Sequence, residues 1–222
     1  MQWRQNATAR TARAGALVAV VCAAVTGCAG GEDNNATPIT TTTAATAATT
    51  ITTTAATAGP GSGFDPRSVP LSDAELGEFP YFAIPAGFEN PNTPDPIVER
   101  DRVPVWTGDR LEWVIGKVYQ SLIYAAGDAG FSKFALMEAI DAAIDDAGGA
   151  RVTESKIPQE VLDTIDRDVR VAYSSGLGDI YNGTVTTYLV RRTDRHIWVH
   201  VTADSAGGSW MIVEERVDAD GN

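Results

Sequence analysis

What most limits the fold of this 222-residue chain is a stretch with almost nothing to build a core from. From Ala36 to Gly63 the sequence is almost wholly threonine and alanine, closing on Gly59-Pro60-Gly61-Ser62-Gly63. It has no charged residue, no aromatic and no amphipathic period. Such a segment cannot bury enough apolar surface to offset the conformational entropy lost on ordering, so a disordered tether is expected. Fully stretched, residues 29–62 would reach roughly 110 Å at about 3.3 Å each. As a flexible coil their mean span is about 30 Å. Folding is thereby confined to residues 64–222, one domain's worth of chain.

The N-terminus carries Arg4, Arg10 and Arg13 with no acid, followed by an apolar run from Ala14 to Val25. That run is about 12 residues long, where a spanning helix needs about 20. Length and flanks therefore predict a secretory signal. It ends in Val25-Thr26-Gly27-Cys28, which resembles a bacterial lipobox, cut before a cysteine already thioether-linked to a diacylglyceryl group. On this reading residues 1–27 are a lipoprotein signal peptide, and residues 28–63 are the lipidated Cys28 and its linker. Two acyl chains anchor durably where one binds only marginally. The competing reading is an ordinary signal peptide, cut among Ala23, Ala24, Gly27 and Ala29, with Cys28 incidental. Thr26 and Gly27 before the cysteine and Ala29-Gly30-Gly31 after it favour lipidation. Lipoproteins of diderm bacteria commonly use an aspartate after the cysteine for inner-membrane retention. Ala29 stands there instead, so the expected place is the cell membrane or, in a diderm host, the outer membrane, facing the periplasm or exterior. The Thr-Ala tract is also similar to O-mannosylated linkers of actinobacterial lipoproteins; an unmodified spacer is the alternative.

Losing the leader removes three of the 17 basic residues and none of the 29 acidic ones, so the net charge moves from −12 to −15. That argues against nucleic acid and against adsorption to anionic lipid, both of which need basic patches. Membrane attachment is expected through Cys28 alone, with an envelope protein of unknown identity as partner. Both cysteines, Cys22 and Cys28, precede the folded domain. A disulfide, a thiol nucleophile, an iron–sulfur cluster and a cysteine zinc site in that domain are excluded.

The domain begins with a proline- and aromatic-rich stretch in which Phe79, Phe82, Ile84 and Phe88 are expected to pin an irregular segment over the core. Leu111 to Tyr124 reads as a long strand or tight strand pair, with a change of phase at Gly116 that predicts a bulge or bend. Ser132 is expected to cap a helix running to about Ala147, with Phe134, Met137, Ile140 and Ile144 on its apolar face and Glu138, Asp141 and Asp145 on the other. Gly148-Gly149 should stop it. A short strand from Ala150 and a short helix from Pro158 to about Asp166 follow. Three closing strands are expected at Thr184–Arg192, His196–Thr202 and Ser209–Arg216. In the middle strand Ile197, Val199 and Val201 alternate with His196, Trp198 and His200, which predicts one buried and one mixed sheet face. The expected class is α+β: an antiparallel sheet of about four to six strands with one main helix packed on one face.

Reactive chemistry finds little purchase. His196 and His200 are the only histidines, and four residues along a strand separate their Cα atoms by roughly 13 Å. That is too far for a shared zinc, whose bonds are about 2 Å, so no metal and no cofactor is expected. No Gly-x-Ser-x-Gly is present, and no catalytic residue is assigned. Asp145-Asp146 and Glu214-Glu215 read as solvated surface. The Arg191-Arg192-Thr193-Asp194-Arg195 turn is the one basic cluster, and Arg191, Arg192 and Arg195 are candidates for receiving a carboxylate or phosphate. Pairing with neighbouring acids is the competing reading.

Several short motifs together are similar to a bacterial envelope domain: Gly77-Glu78-Phe79-Pro80-Tyr81-Phe82, Pro85-Ala86-Gly87-Phe88, Gly108-Asp109-Arg110-Leu111, Gly116-Lys117-Val118-Tyr119, Gly148-Gly149-Ala150-Arg151-Val152, Tyr188-Leu189-Val190-Arg191-Arg192 and Ile197-Trp198-Val199. The resembled domain precedes an OmpA-type peptidoglycan-binding module in some envelope lipoproteins. The resemblance spans about residues 76–215 and leaves no room for that module before Asn222, so peptidoglycan binding is not expected to carry over. It implies a lipid-anchored envelope protein with an interaction or structural role and without catalysis. A small-ligand or lipid-binding lipoprotein and a hydrolase are the alternatives.

Overall fold

A computed structural model of the chain describes residues 63–217. The signal peptide, Cys28 and the Thr-Ala tract through residue 62 lie outside the described residues.

The α+β class holds. Seven strands form one antiparallel sheet: β1 (Phe88–Glu89), β2 (Val98–Trp106), β3 (Leu111–Ala125), β4 (Ala150–Ser155), β5 (Val185–Arg191), β6 (Arg195–Ala203) and β7 (Gly208–Arg216). Their order is β1-β3-β7-β6-β5-β4, with β2 also paired to β3. The count exceeds the expected four to six because β1 has only two residues and β2 is disguised. β2 opens with the charged run Glu99-Arg100-Asp101-Arg102 and contains Pro104. It pairs with β3 alone, and an edge strand tolerates proline.

Helix α1 (Lys133–Asp146) starts as expected: the Ser132 side chain accepts a hydrogen bond from the Ala135 amide. It ends at Gly148, whose φ of +67° suits glycine. Its buried stripe is Leu136, Ile140 and Ile144, however, and Phe134 is 77% exposed. Phe134 lies about 200° around the helix from Leu136, so a face centred on Leu136–Ile140–Ile144 turns it to water. Asp141 is likewise not free on the outer face: it accepts from Tyr188 Oη at 2.7 Å and pairs with Arg151 at 2.6 Å.

Both sheet faces are buried, where one mixed face was expected. On the first, α1 covers Ile123, Tyr188, Val190, Ile197, Val199, Val201 and Ile212. On the second, Val118, Val185, Leu189, Trp198, Met211 and Val213 lie beneath Leu162, Ile165, Tyr173 and Leu177. Those four belong to the segment of three short helices, α2 (Gln159–Leu162), α3 (Arg167–Ala172) and α4 (Ser174–Leu177). The β2–β3 hairpin closes the same core with Val103, Val105 and Trp106, and Trp106 Nε1 donates to Ser155 Oγ of β4 at 2.9 Å. The short helix expected from Pro158 is α2, ending at Leu162 instead of near Asp166. α3 and α4 are too short to show a 3.6-residue period, so the rest of this cover is not visible in the sequence pattern.

The irregular opening segment does what its aromatics predict and more. Phe64 and Val69 pack on the α2–α4 side, and Phe64 meets the Trp198 ring edge-on at 5.9 Å. The chain then passes the β5–β6 turn, and Leu76, Phe79, Phe82, Ile84 and Phe88 pack on the α1 side. β3 is one continuous strand. The irregularity predicted at Gly116 falls across the ladder, in β2 between Val98 and Asp101. Gly116 itself sits where β7 joins the ladder, and a Cβ there would lie 2.0 Å from the Glu214 carbonyl oxygen.

Candidate functional site

At this junction of β2, β3 and β7 the surface opens into a cleft of about 580 Å³. Its inner wall is a fixed polar network. Tyr81 Oη donates to Glu214 Oε2, and Arg195 Nη1 donates to Tyr81 Oη at 2.8 Å and to Glu214 at 3.1 Å. Arg195 Nη2 also holds Asp194 at 2.6 Å. Glu214 is only 8% exposed, and these partners satisfy its buried oxygen. Burial and the bond to Glu214 push the Tyr81 phenol up, while the hydrogen bonds to Asp194 and Tyr81 hold the Arg195 guanidinium firmly protonated. Tyr81 itself stands at φ +70°, an uncommon conformation for a non-glycine residue that persists only where the surroundings enforce it. Here its hydroxyl network and its edge-on contact with Phe79, at 5.6 Å, do so.

The rim is looser. Lys117 Nζ lies 3.3 Å from Glu99 and 5.3 Å from the centre of the Phe79 ring. Arg216 reaches Glu214 at 3.7 Å. Arg100 and Glu78 line the cleft, and neither forms an ion pair among the described residues. The extra residue of the β2 irregularity displaces Glu99 and Arg100 from the regular ladder at this spot, as bulges beside binding sites commonly do.

Of the three arginines singled out in the sequence, only Arg195 lines the cleft. Arg191 Nη1 donates to the Val69 carbonyl at 3.3 Å and Arg192 Nη1 to the Ala74 carbonyl at 2.6 Å. Both bind the opening segment to the sheet. Tyr81, Arg100, Lys117 and Glu214 were not singled out as site residues. Tyr81 and Lys117 stand in two of the motifs behind the resemblance, but nothing in their spacing shows that they meet. Glu214-Glu215 is not simple solvated surface: Glu214 is buried, and Glu215 accepts from Trp198 Nε1 at 3.0 Å and contacts His196 Nδ1 at 3.3 Å. Burial acts to raise the Glu215 carboxyl, but the His196 and Trp198 hydrogen bonds outweigh it and hold it below the usual range.

The two histidines are built into the sheet. His200 is buried, its Nε2 bonded to the Leu177 carbonyl at 3.2 Å, and its Nδ1 has no partner among the described residues. Burial, only partly offset by that bond, pushes it down to about 4. Among the described residues no group of three or more His, Cys, Asp or Glu side chains is placed to hold a metal, and no helix is long and apolar enough to cross a membrane. Comparison with protein-family models, curated proteins and solved structures finds no match.

Proposed function

We propose that this protein is a membrane-anchored extracytoplasmic lipoprotein whose folded domain has a non-catalytic interaction or structural role in the cell envelope. The observation that carries the reading is Val25-Thr26-Gly27-Cys28 at the end of a 12-residue apolar run, followed by a neutral Thr-Ala tract. A tether of that composition holds a folded domain clear of lipid headgroups. The resemblance of residues 76–215 to an envelope lipoprotein domain agrees with it. So does the use of His196, His200, Arg191 and Arg192 in holding the fold together. Cells expressing the chain are expected to incorporate labelled palmitate into it and to carry it in the membrane fraction through a salt wash. Cys28→Ser should abolish the label and move the protein to the soluble fraction; full membrane retention of that variant would refute the anchor.

One observation favours a second reading, a small-ligand-binding lipoprotein. The cleft beside Tyr81 is within the roughly 300–1,000 Å³ usual for ligand sites, and its rim carries loosely engaged charges.

A further inference from the structure

We propose that the cleft beside Tyr81 binds a short peptide by its free C-terminal carboxylate, with the adjoining apolar side chain laid against Phe79 and Ile115. The inference rests on reading the domain as a module that makes contacts, and is independent of the lipid anchor.

The cations supply the first argument. Arg100, Lys117 and Arg216 converge on one cleft of an acidic protein, and none is firmly engaged. Lys117 pairs with Glu99, whose side chain is 80% exposed, and Arg216 is 77% exposed at 3.7 Å from Glu214. Exposed pairs of this kind contribute little, so a ligand carboxylate can replace Glu99 on Lys117 at small cost. Arg100 has no ion-pair partner to give up among the described residues, and a guanidinium fork matches a carboxylate in two parallel hydrogen bonds.

The acids decide which anion. Glu78, Glu99, Glu214 and Glu215 border the same cleft. A carboxylate brings one negative charge to them, whereas a phosphate monoester brings about −1.5 to −2 and meets correspondingly greater repulsion. The site suits a monoanion. Apolar surface narrows the class further: Ile115 is 43% exposed, and it and Phe79 both line the cleft. A large aliphatic side chain next to the carboxylate would cover both. Meanwhile the Tyr81–Glu214–Arg195 network keeps the inner wall rigid, so little ordering is lost on binding.

The test is a calorimetric titration of the full chain, purified in detergent, with N-acetyl-Ala-Ala-Leu as the free acid, as the C-terminal amide, and with inorganic phosphate. The acid should bind saturably, the amide about tenfold more weakly, and phosphate should not displace the acid. Arg100→Ala and Lys117→Ala should each weaken the acid by about tenfold without moving the thermal midpoint, while Arg170→Ala, remote from the cleft, leaves it unchanged. Equal affinity for acid and amide, displacement by phosphate, or no saturable heat from either peptide would overturn the proposal. Mass spectrometry of the recovered peptide separates the two readings. Cleavage of a peptide that binds through its carboxylate supports the site and refutes a non-catalytic domain.

Discussion

His200 lies wholly buried on β6, its Nε2–H on the Leu177 carbonyl, directly opposite Thr187; among the described residues neither its Nδ1 nor the Thr187 Oγ1 has a partner. The folded state therefore refuses a proton that the unfolded chain accepts. The folded pKa is about 4 against an ordinary 6.5, so this depressed group contributes stability that is present above pH 6.5 and is lost as pH falls toward 4. The full effect is on the order of 3 kcal/mol. Glu215, Asp194 and Asp109 are also held low, but their contributions fade only as pH drops through the carboxylate range. Unfolding free energy from urea titrations should thus decline between pH 6.5 and 4.5, and His200→Gln should flatten that decline. An equal slope in the variant would mean that another group carries it. The sequence shows His200 on a strand beside Trp198; its burial comes from α4, which has no sequence period to betray it.

At the scale of the element, α1 separates what a pattern specifies from what packing chooses. Its cap and its stop were legible, because Ser132 and Gly148 act through their own backbone geometry. Its face was legible only approximately, since apolar residues at three- and four-residue steps admit more than one rotation. Contact with Tyr188, Val190 and Ile212 selects Leu136, Ile140 and Ile144 and leaves Phe134 outside. Leu136→Ala should therefore cost about 3 kcal/mol in urea unfolding, and Phe134→Ser should stay within about 0.5 kcal/mol of the parent. A comparable loss in both would place Phe134 in the core. β2 gives the converse lesson. Its charged run hides a strand that is specified by pairing with β3, not by its own alternation.

Across the whole molecule, the opening segment links the two cores by rounding the end of the sheet. The Ser72 amide donates to the Arg191 carbonyl at 2.8 Å, Ser72 Oγ to the Ala147 carbonyl at 2.6 Å, and Arg192 clasps Ala74. Arg192→Ala should raise amide hydrogen exchange at Ser72 by roughly fivefold while β6 keeps its protection. Unchanged exchange at Ser72 would show the clasp to be idle. Composition and local pattern by themselves determined the antiparallel class, the three closing strands and the ends of α1, because each depends on neighbours within a few residues. The tertiary structure alone decided the burial of the second sheet face and the Tyr81–Glu214–Arg195 cleft. Tyr81 and Glu214 are 133 residues apart in the chain. Only the wrapping of the opening segment and the joining of β7 to β3 at Gly116 bring them together, and no local spacing encodes a contact made that way.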